Sequence, residues 1–328
     1  MSNGLPPDAT ASDPQSSPGG FQGKEDWLIR AAPPVRNEWI VPALLFLATI
    51  LSTSFAGLFY IYGDVGFLRQ AWEVAMQPRL LLQGAPFSLT LIAILLAHEL
   101  GHYFACRHHG IRCTPPFFIP FPISYAGTLG AFIRIKSHFG HRRALFDVGI
   151  AGPLAGFAVV MPALIAGIGR SRLIPKGSIQ GDIFFGEPLL FRWVGTILLG
   201  YNPKTQDMIA DPVAMAAWFG LLVTSLNLLP IWQLDGGHIA YAVFGRRRQK
   251  QLSLLAAFGL MVVSLAGWPI PSYLLFAVLL LILGARTGFY HPPTLADDEE
   301  IGNARGILAI IILFVLIVSF TPIPVSIS

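Results

Sequence analysis

Charge is scarce in this 328-residue chain: Lys, Arg, Asp and Glu together make up 12% of it, against 54% hydrophobic residues. That balance excludes an ordinary soluble domain and a disordered chain, and it leaves a polytopic membrane protein. Cysteine is scarcer still. Cys106 and Cys113 are the only two. They lie close together near the end of one predicted helix and make no disulfide framework. Cys106 follows His102 by one turn, but a packing thiol is the simpler role for it. The formal net charge of +4 belongs to loops, so it reads as topology and not as nucleic-acid binding. No internal repeat is visible, and no inter-span segment is long enough for a separate folded domain.

The first 38 residues lack any apolar run and are rich in Pro, Ser, Gly and Asp. They read as a disordered cytoplasmic tail without a signal-peptide pattern. Asp8, Asp13, Glu25 and Asp26 argue against an organellar transit peptide, which makes a bacterial inner membrane the simplest location. Residues 39–328 then form a single transmembrane domain with a core at about 87–245. About seven spans are expected, at roughly 39–62, 87–109, 147–169, 212–230, 252–268, 271–284 and 306–320. The third carries Gly149, Gly152 and Gly156, which permit close helix contact. Pro269-Ile270-Pro271 splits the fifth from the sixth. The longest loop, after the third span, has an amphipathic patch near 184–199 that suggests a partial lid or an interfacial helix.

Basic residues orient these spans. Arg107, Arg112, Arg134, Lys136, Arg142 and Arg143 follow the second span, and Arg246, Arg247, Arg248 and Lys250 follow the fourth, so both segments belong on the cytoplasmic side. Arg170, Arg172, Lys176, Arg192 and Lys204 fall on the outer side. They weaken this asymmetry without reversing it. Between the second and third spans, four prolines in Pro115–Pro122 exclude a helix. Phe132-Ile133-Arg134-Ile135-Lys136 then alternates with period two. The expected fold is therefore an all-α polytopic membrane protein with a short β-hairpin at the membrane edge.

The chemistry sits in His98-Glu99-Leu100-Gly101-His102, within the second span. One helical turn apart, His98 and His102 share a face and can reach one metal ion. Glu99 lies about 100° around the helix, beside the ion without being a ligand. Three fixed positions at ~1/20 each over about 320 windows give a chance match in ~4% of chains this long. Depth strengthens the match, because ionisable groups inside a membrane are costly and by default functional. A catalytic zinc site takes three protein ligands and leaves a position open. Asp235, between Pro230 and Gly236-Gly237, is the candidate third ligand, since the fourth span runs inward and brings it to the depth of the two histidines. Taken alone, Asp235 also suits a helix cap.

HExxH in an early span, Ala151-Gly152-Pro153 in the next, and Asn227-x-x-Pro230-x-x-x-Leu234-Asp235-Gly236 after it resemble the site-2 proteases. These are zinc-dependent intramembrane peptidases, and the resemblance covers about 87–245. It implies one zinc per chain held by His98, His102 and Asp235, with Glu99 as general base and Asn227 near the scissile carbonyl. Gly127-Thr128-Leu129-Gly130-Ala131-Phe132-Ile133 resembles the branch that includes chloroplast-type members. Many bacterial members carry a PDZ domain between core spans, for which this chain has no room.

The implied activity is hydrolysis of peptide bonds in or near the spans of membrane-anchored proteins, with the site nearer the cytoplasmic side. Partners are those substrates and the lipid bilayer, with a homo-oligomer or an adaptor left open. His108 and His109 are candidates for a water channel to the site. The hairpin is a candidate edge for pairing with unwound substrate. A metal transporter or a non-proteolytic scaffold would use the same ligands. A transporter, however, should show ionisable groups along a path across the bilayer. A peptidase of prenylated proteins would be expected to take glutamate as third ligand. Zinc over iron or cobalt is inferred from ligand type.

Overall fold

The computed structural model describes residues 39–178, 183–267, 272–289, 292–296 and 300–326. The expected disordered tail (1–38) and the break at Pro269-Ile270-Pro271 lie outside the described residues. In chain order, the helices are α1 (Ile40–Gly57), the one-turn α2 (Phe59–Tyr62), α3 (Phe67–Met76), α4 (Ala85–His108), α5 (Arg142–Arg170), α6 (Leu189–Leu199), α7 (Pro212–Asn227), α8 (Asp235–Ala266), α9 (Leu274–Thr287) and α10 (Asn303–Ser319). Three two-stranded antiparallel sheets join them: β1 (Phe117–Pro120) with β2 (Thr128–Phe132), β3 (Arg172–Pro175) with β5 (Gln206–Ile209), and β4 (Phe184–Phe185) with β6 (Val325–Ser326).

Among the described residues, four helical segments are long and apolar enough to cross a membrane: Ile40–Tyr62, Ala85–His108, Arg142–Arg170 and Asp235–Ala266. The chain is therefore a mostly helical, multi-pass protein, but seven separate full-length spans are not what forms. The 16 residues of α7 rise only about 24 Å, short of a ~30 Å hydrocarbon layer. The expected fifth span is the second half of α8, which continues across a kink at Gly245 (φ 77°). Asp211 caps α7 by accepting from the Val213 amide at 2.9 Å, with Pro212 in the first turn. At the other end α7 stops at Asn227, and a tight turn carries the chain into α8.

A hairpin follows α4. β1 and β2 pair in the register Phe117↔Phe132 and Phe118↔Ala131, with a bulge before Pro120↔Thr128. A bridge from Cys113 to Ile135 prolongs the ladder. Its tip reaches the start of α4. Gly127 lies against Ser52 and Thr53 of α1, and the Thr53 hydroxyl is 2.6 Å from that of Ser88. From Ser88 to Cys106, against which Cys113 packs, is about 27 Å of helix.

Backbone at such depth must find partners inside the protein. Ser52 Oγ donates to the Gly127 carbonyl at 2.7 Å, and Tyr60 Oη to that of Tyr125 at 2.9 Å. Thr128 Oγ1 donates to the Ile119 carbonyl at 2.8 Å. Gly127 has φ 72°, and a Cβ there would sit 2.5 Å from the Ser52 carbonyl oxygen. No other residue fits that turn.

The segment between α5 and α7 folds as the β3–β5 pair with α6, and Trp193, Ile197 and Leu198 of α6 are exposed. The core lies where α4, α5 and α7 meet, around Phe87, Leu91, Ile94, Val160, Leu164, Trp218 and Leu221.

Candidate metal centre

α4 places His98 and His102 on one face, and both are buried at 3% and 6% exposure. Their Nε2 atoms approach to 3.1 Å. Asp235 opens α8 as its first helical residue. Its carboxylate oxygens lie 3.2 Å from His98 Nε2 and 3.3 Å from His102 Nε2. The cap position belongs to Leu234, so Asp235 is turned to the histidines and not to its own helix end.

His102 Nδ1 donates to the Val148 carbonyl at 2.8 Å, which leaves Nε2 as the lone-pair nitrogen. Two imidazole nitrogens and a carboxylate thus converge on one point. Ligands about 2.05 Å from a tetrahedral zinc would stand about 3.3 Å apart. The observed separations of 3.1–3.3 Å match that donor set. Among the described residues this is the one group of three or more His, Cys, Asp or Glu side chains close enough to share an ion.

The glycines of α5 have a more specific use than helix contact. A Cβ on Gly152 would lie 2.1 Å from His102 Nε2, and one on Gly156 would lie 3.2 Å from His98 Cβ. The imidazoles occupy the room those residues leave. Gly236 and Gly237 serve the turn before α8 in the same way, with Cβ positions 2.0 Å from the Leu228 carbonyl oxygen and 2.2 Å from that of Trp232. Trp232 itself has φ 47°.

Glu99 is buried at 5% exposure, and the backbone amide of Ile133 faces its carboxylate. Asn227 places Nδ2 3.4 Å from His98 Nε2. A cavity of about 200 Å³ joins these groups, with Ile133, Ile135, Gln233 and His238 in its wall. The structure therefore brings together His98, Glu99, His102, Asn227 and Asp235. Sequence reasoning missed Gln233 and His238. For His238 the signal was available, since it lies one turn beyond Asp235.

Of two other expectations, the packing role of Cys106 is met and the channel role of His109 is not. Cys106 packs with Ile111, Leu145, Val148 and Tyr241 and does not line the metal pocket. His109 faces Asp147 at 3.1 Å, tied into a contact with Arg305 and not into a channel. Among the described buried side chains, only His98, Glu99 and His102 are His, Asp, Glu, Lys or Arg. That confinement to one depth is the opposite of a transport path.

Comparison with known proteins agrees with this geometry. Residues 86–267 match the model of "Peptidase family M50". The chain is 30% identical over 246 residues to "Probable zinc metalloprotease EGY2, chloroplastic" of Arabidopsis thaliana, covering 75% of this chain and 43% of that protein. It is 28% identical over 344 residues to "Probable zinc metalloprotease EGY1, chloroplastic" of Oryza sativa subsp. japonica, covering 96% and 56% respectively. With the EGY2 protein of Oryza sativa subsp. indica it shares 34% identity over 186 residues, 56% of this chain and 34% of the relative. The chain thus spans about half or less of the curated relatives it matches.

Proposed function

Because this chain belongs to peptidase family M50, we propose that it is an intramembrane zinc endopeptidase acting on membrane-anchored proteins. The observation that carries the reading is the convergence of His98, His102 and Asp235 beside a buried Glu99 on one cavity. His98, His102 and Asp235 would hold the metal. When bound, zinc supplies Lewis-acid polarisation of the scissile carbonyl and acidifies water towards neutrality.

Glu99 takes the proton of the attacking water and returns it to the leaving amine. Asn227 donates to the developing oxyanion, a contribution of about 2.7–4 kcal/mol by analogy with other oxyanion donors. The Val148 carbonyl, accepting from Nδ1, keeps His102 in the tautomer that presents Nε2.

A substrate helix hides its peptide bonds in its own hydrogen bonds and must unwind. The run after β2 offers it an edge. Arg134 O accepts from the Thr114 amide at 3.0 Å and the Lys136 amide donates to Arg112 O at 2.8 Å. The alternate residues, Ile133 and Ile135, therefore direct their backbone groups towards the metal pocket. A strand laid there pairs by β-augmentation within reach of Glu99.

We place the site nearer the face carrying Arg107, Arg112, Arg134, Lys136 and Arg246–Arg248, which the positive-inside rule makes cytoplasmic. The chloroplast location in the relatives' names lends a bacterial inner membrane no support. The location proposed is a multi-pass membrane position without choice of organelle.

The test is cleavage of a panel of single-span substrates by purified protein, comparing wild type with Glu99→Gln. Cleavage abolished by the substitution, lost with a chelator and restored by zinc is the expected result. Cleavage that survives both treatments overturns it.

A further inference from the structure

Cys106 and Cys113 are free thiols that the proposed chemistry leaves unused. Their proximity follows from how α4 ends. Gly110 takes φ 67°, its amide donates to the Arg107 carbonyl at 3.2 Å, and the Ile111 amide donates to the Cys106 carbonyl at 2.8 Å. That pair of bonds is a Schellman cap, and it folds the chain back over the last turn of α4. Ile111 packs on Cys106 and Cys113 joins the same cluster, with the two thiols hydrogen-bonded to each other. Cys106 is fully buried, whereas Cys113 is half-buried. On its other side Cys113 bridges to Ile135, which stands in the wall of the metal pocket. Cys106 lies one turn beyond His102. The pair therefore joins the metal-bearing helix to the root of the strand edge.

We propose that Cys106 and Cys113 form a reversible disulfide by exchange with a disulfide oxidant, and that closing it slows cleavage by drawing the strand edge towards α4. The effect on cleavage rests on the proteolytic reading above; the disulfide itself does not. Exchange requires one accessible sulfur to enter and a second beside it to resolve. Cys113 attacks the oxidant's disulfide and expels one thiol. Cys106 then attacks the Cys113 sulfur of that mixed disulfide and expels the other thiol. The two protein thiols give up two electrons and two protons, and the oxidant leaves as two thiols. Sulfurs in hydrogen-bond contact must still close to about 2.05 Å. α4 is packed along α5 and α7, whereas Cys113 lies on the irregular connection from α4 to β1. The movement therefore falls on Cys113 and, through the bridge, on Ile135. The cavity between that strand and the HExxH turn holds only about 200 Å³, so a wall drawn inward takes room that an unwound substrate needs. Both cysteines lie at the end of α4 placed above on the cytoplasmic side, where thiol pools keep cysteines reduced and a disulfide records oxidation.

The experiment equilibrates the full chain in detergent across glutathione buffers from reducing to oxidising. Remaining thiols are then alkylated and the protein is weighed by mass spectrometry. The expected oxidised product is a monomer lighter by two hydrogens, without alkyl groups, whose digest links Cys106 to Cys113. Cys106→Ala should stop at the mixed disulfide, with glutathione held on Cys113, and Cys113→Ser should take up almost none. Two alkylated cysteines at the oxidising end, or disulfide-linked dimers alone, overturn the proposal. In parallel, kcat/KM for a single-span substrate should fall about tenfold or more on oxidation and return on reduction. Cys113→Ser, in which any effect of glutathione on the metal is the same, should keep a constant rate across the buffers. A disulfide that forms without changing the rate overturns the proposal, as does an equal fall in Cys113→Ser. If wild type cuts nothing in either state, the proteolytic reading fails. Substrate binding to Glu99→Gln, weaker oxidised than reduced, then decides the effect of the disulfide by itself.

Discussion

Two groups of histidine and aspartate lie towards the same end of the molecule and use their charge differently. At one, Asp147 in the first turns of α5 receives both arms of the Arg305 guanidinium at 2.7 Å and faces His109 at 3.1 Å. At the other, Asp235 faces the Nε2 atoms of His98 and His102 at 3.2 and 3.3 Å, and among the described residues no arginine or lysine joins it in the wall of that pocket. In the first group a permanent cation is built in, so the carboxylate is satisfied by the fold and clamps α10 to α5. In the second, three donors converge without a built-in cation, which is the arrangement a metal ion completes. What distinguishes a site from a clasp is therefore not the presence of His and Asp but whether the protein supplies its own counter-charge.

The segment between α5 and α7 shows the clasp pattern at three points. Arg170 pairs with Asp211 at 3.0 Å, Lys176 with Asp207 at 3.2 Å, and Arg192 with Glu187 at 3.5 Å. Tyr201 donates to Glu187. A cavity of about 720 Å³ there has the paired Lys176, Asp207, Glu187 and Arg192 in its wall.

The contrast is broken most severely by Asp235→Asn, which removes the one negative ligand. Zinc stoichiometry measured on the purified protein should fall to background, and cleavage should go with it. Glu99→Gln is expected to lower the cleavage rate by about 10²–10⁴-fold while zinc content stays at one per chain.

Gly152→Ala comes next. Its Cβ would collide with His102 Nε2, and zinc affinity, read by competition with a chelator, should drop by about 10–100-fold. Gly169, in the same helix with nothing within 4 Å of its Cβ position, is the matched control. Gly169→Ala should leave zinc binding unchanged and raise stability slightly.

On the clasp side, Arg305→Ala should cost stability of about 1–2 kcal/mol, seen as a lower Tm in detergent, with zinc stoichiometry intact. An Arg305→Ala protein that loses zinc would show that the two groups are not separate.

The smallest effect belongs to the segment between α5 and α7. The Gly177 amide, and after it Lys176, hold the Asp207 carboxyl below the usual carboxylate range. A lowered folded-state value means stabilisation that is present above the unfolded value of about 3.9 and is lost as pH falls through the folded one. Asp207→Asn should therefore lower Tm slightly at neutral pH, and the difference should vanish in acid.

The site was legible in the sequence to an unusual degree, because its parts are local. HExxH at helical spacing puts His98 and His102 on one face whatever the fold, and Pro230 with Gly236-Gly237 announces a turn beside Asp235. The spans were legible less finely. Hydropathy sees apolar length but not where a helix starts or stops, so α7 passed for a full span and of α8 only the part beyond Gly245 was read as a span. The hairpin's period-two pattern identified strands. Nothing in it revealed that the tip would be held by Ser52 of α1 and Tyr60 of α2, more than sixty residues earlier.

By itself, then, the sequence determined the class of protein, the metal-ligand types and the face of α4 that carries two of them. Those follow from composition and from the 3.6-residue repeat, which act over short stretches of chain. Tertiary structure decided the rest: that Gly152 and Gly156 make room for imidazoles, that Ile133 turns its amide to Glu99, and that Asp147 is neutralised within the protein while Asp235 is not. Each depends on which distant segments pack together, and close packing of side chains from separate elements is not encoded at any fixed spacing.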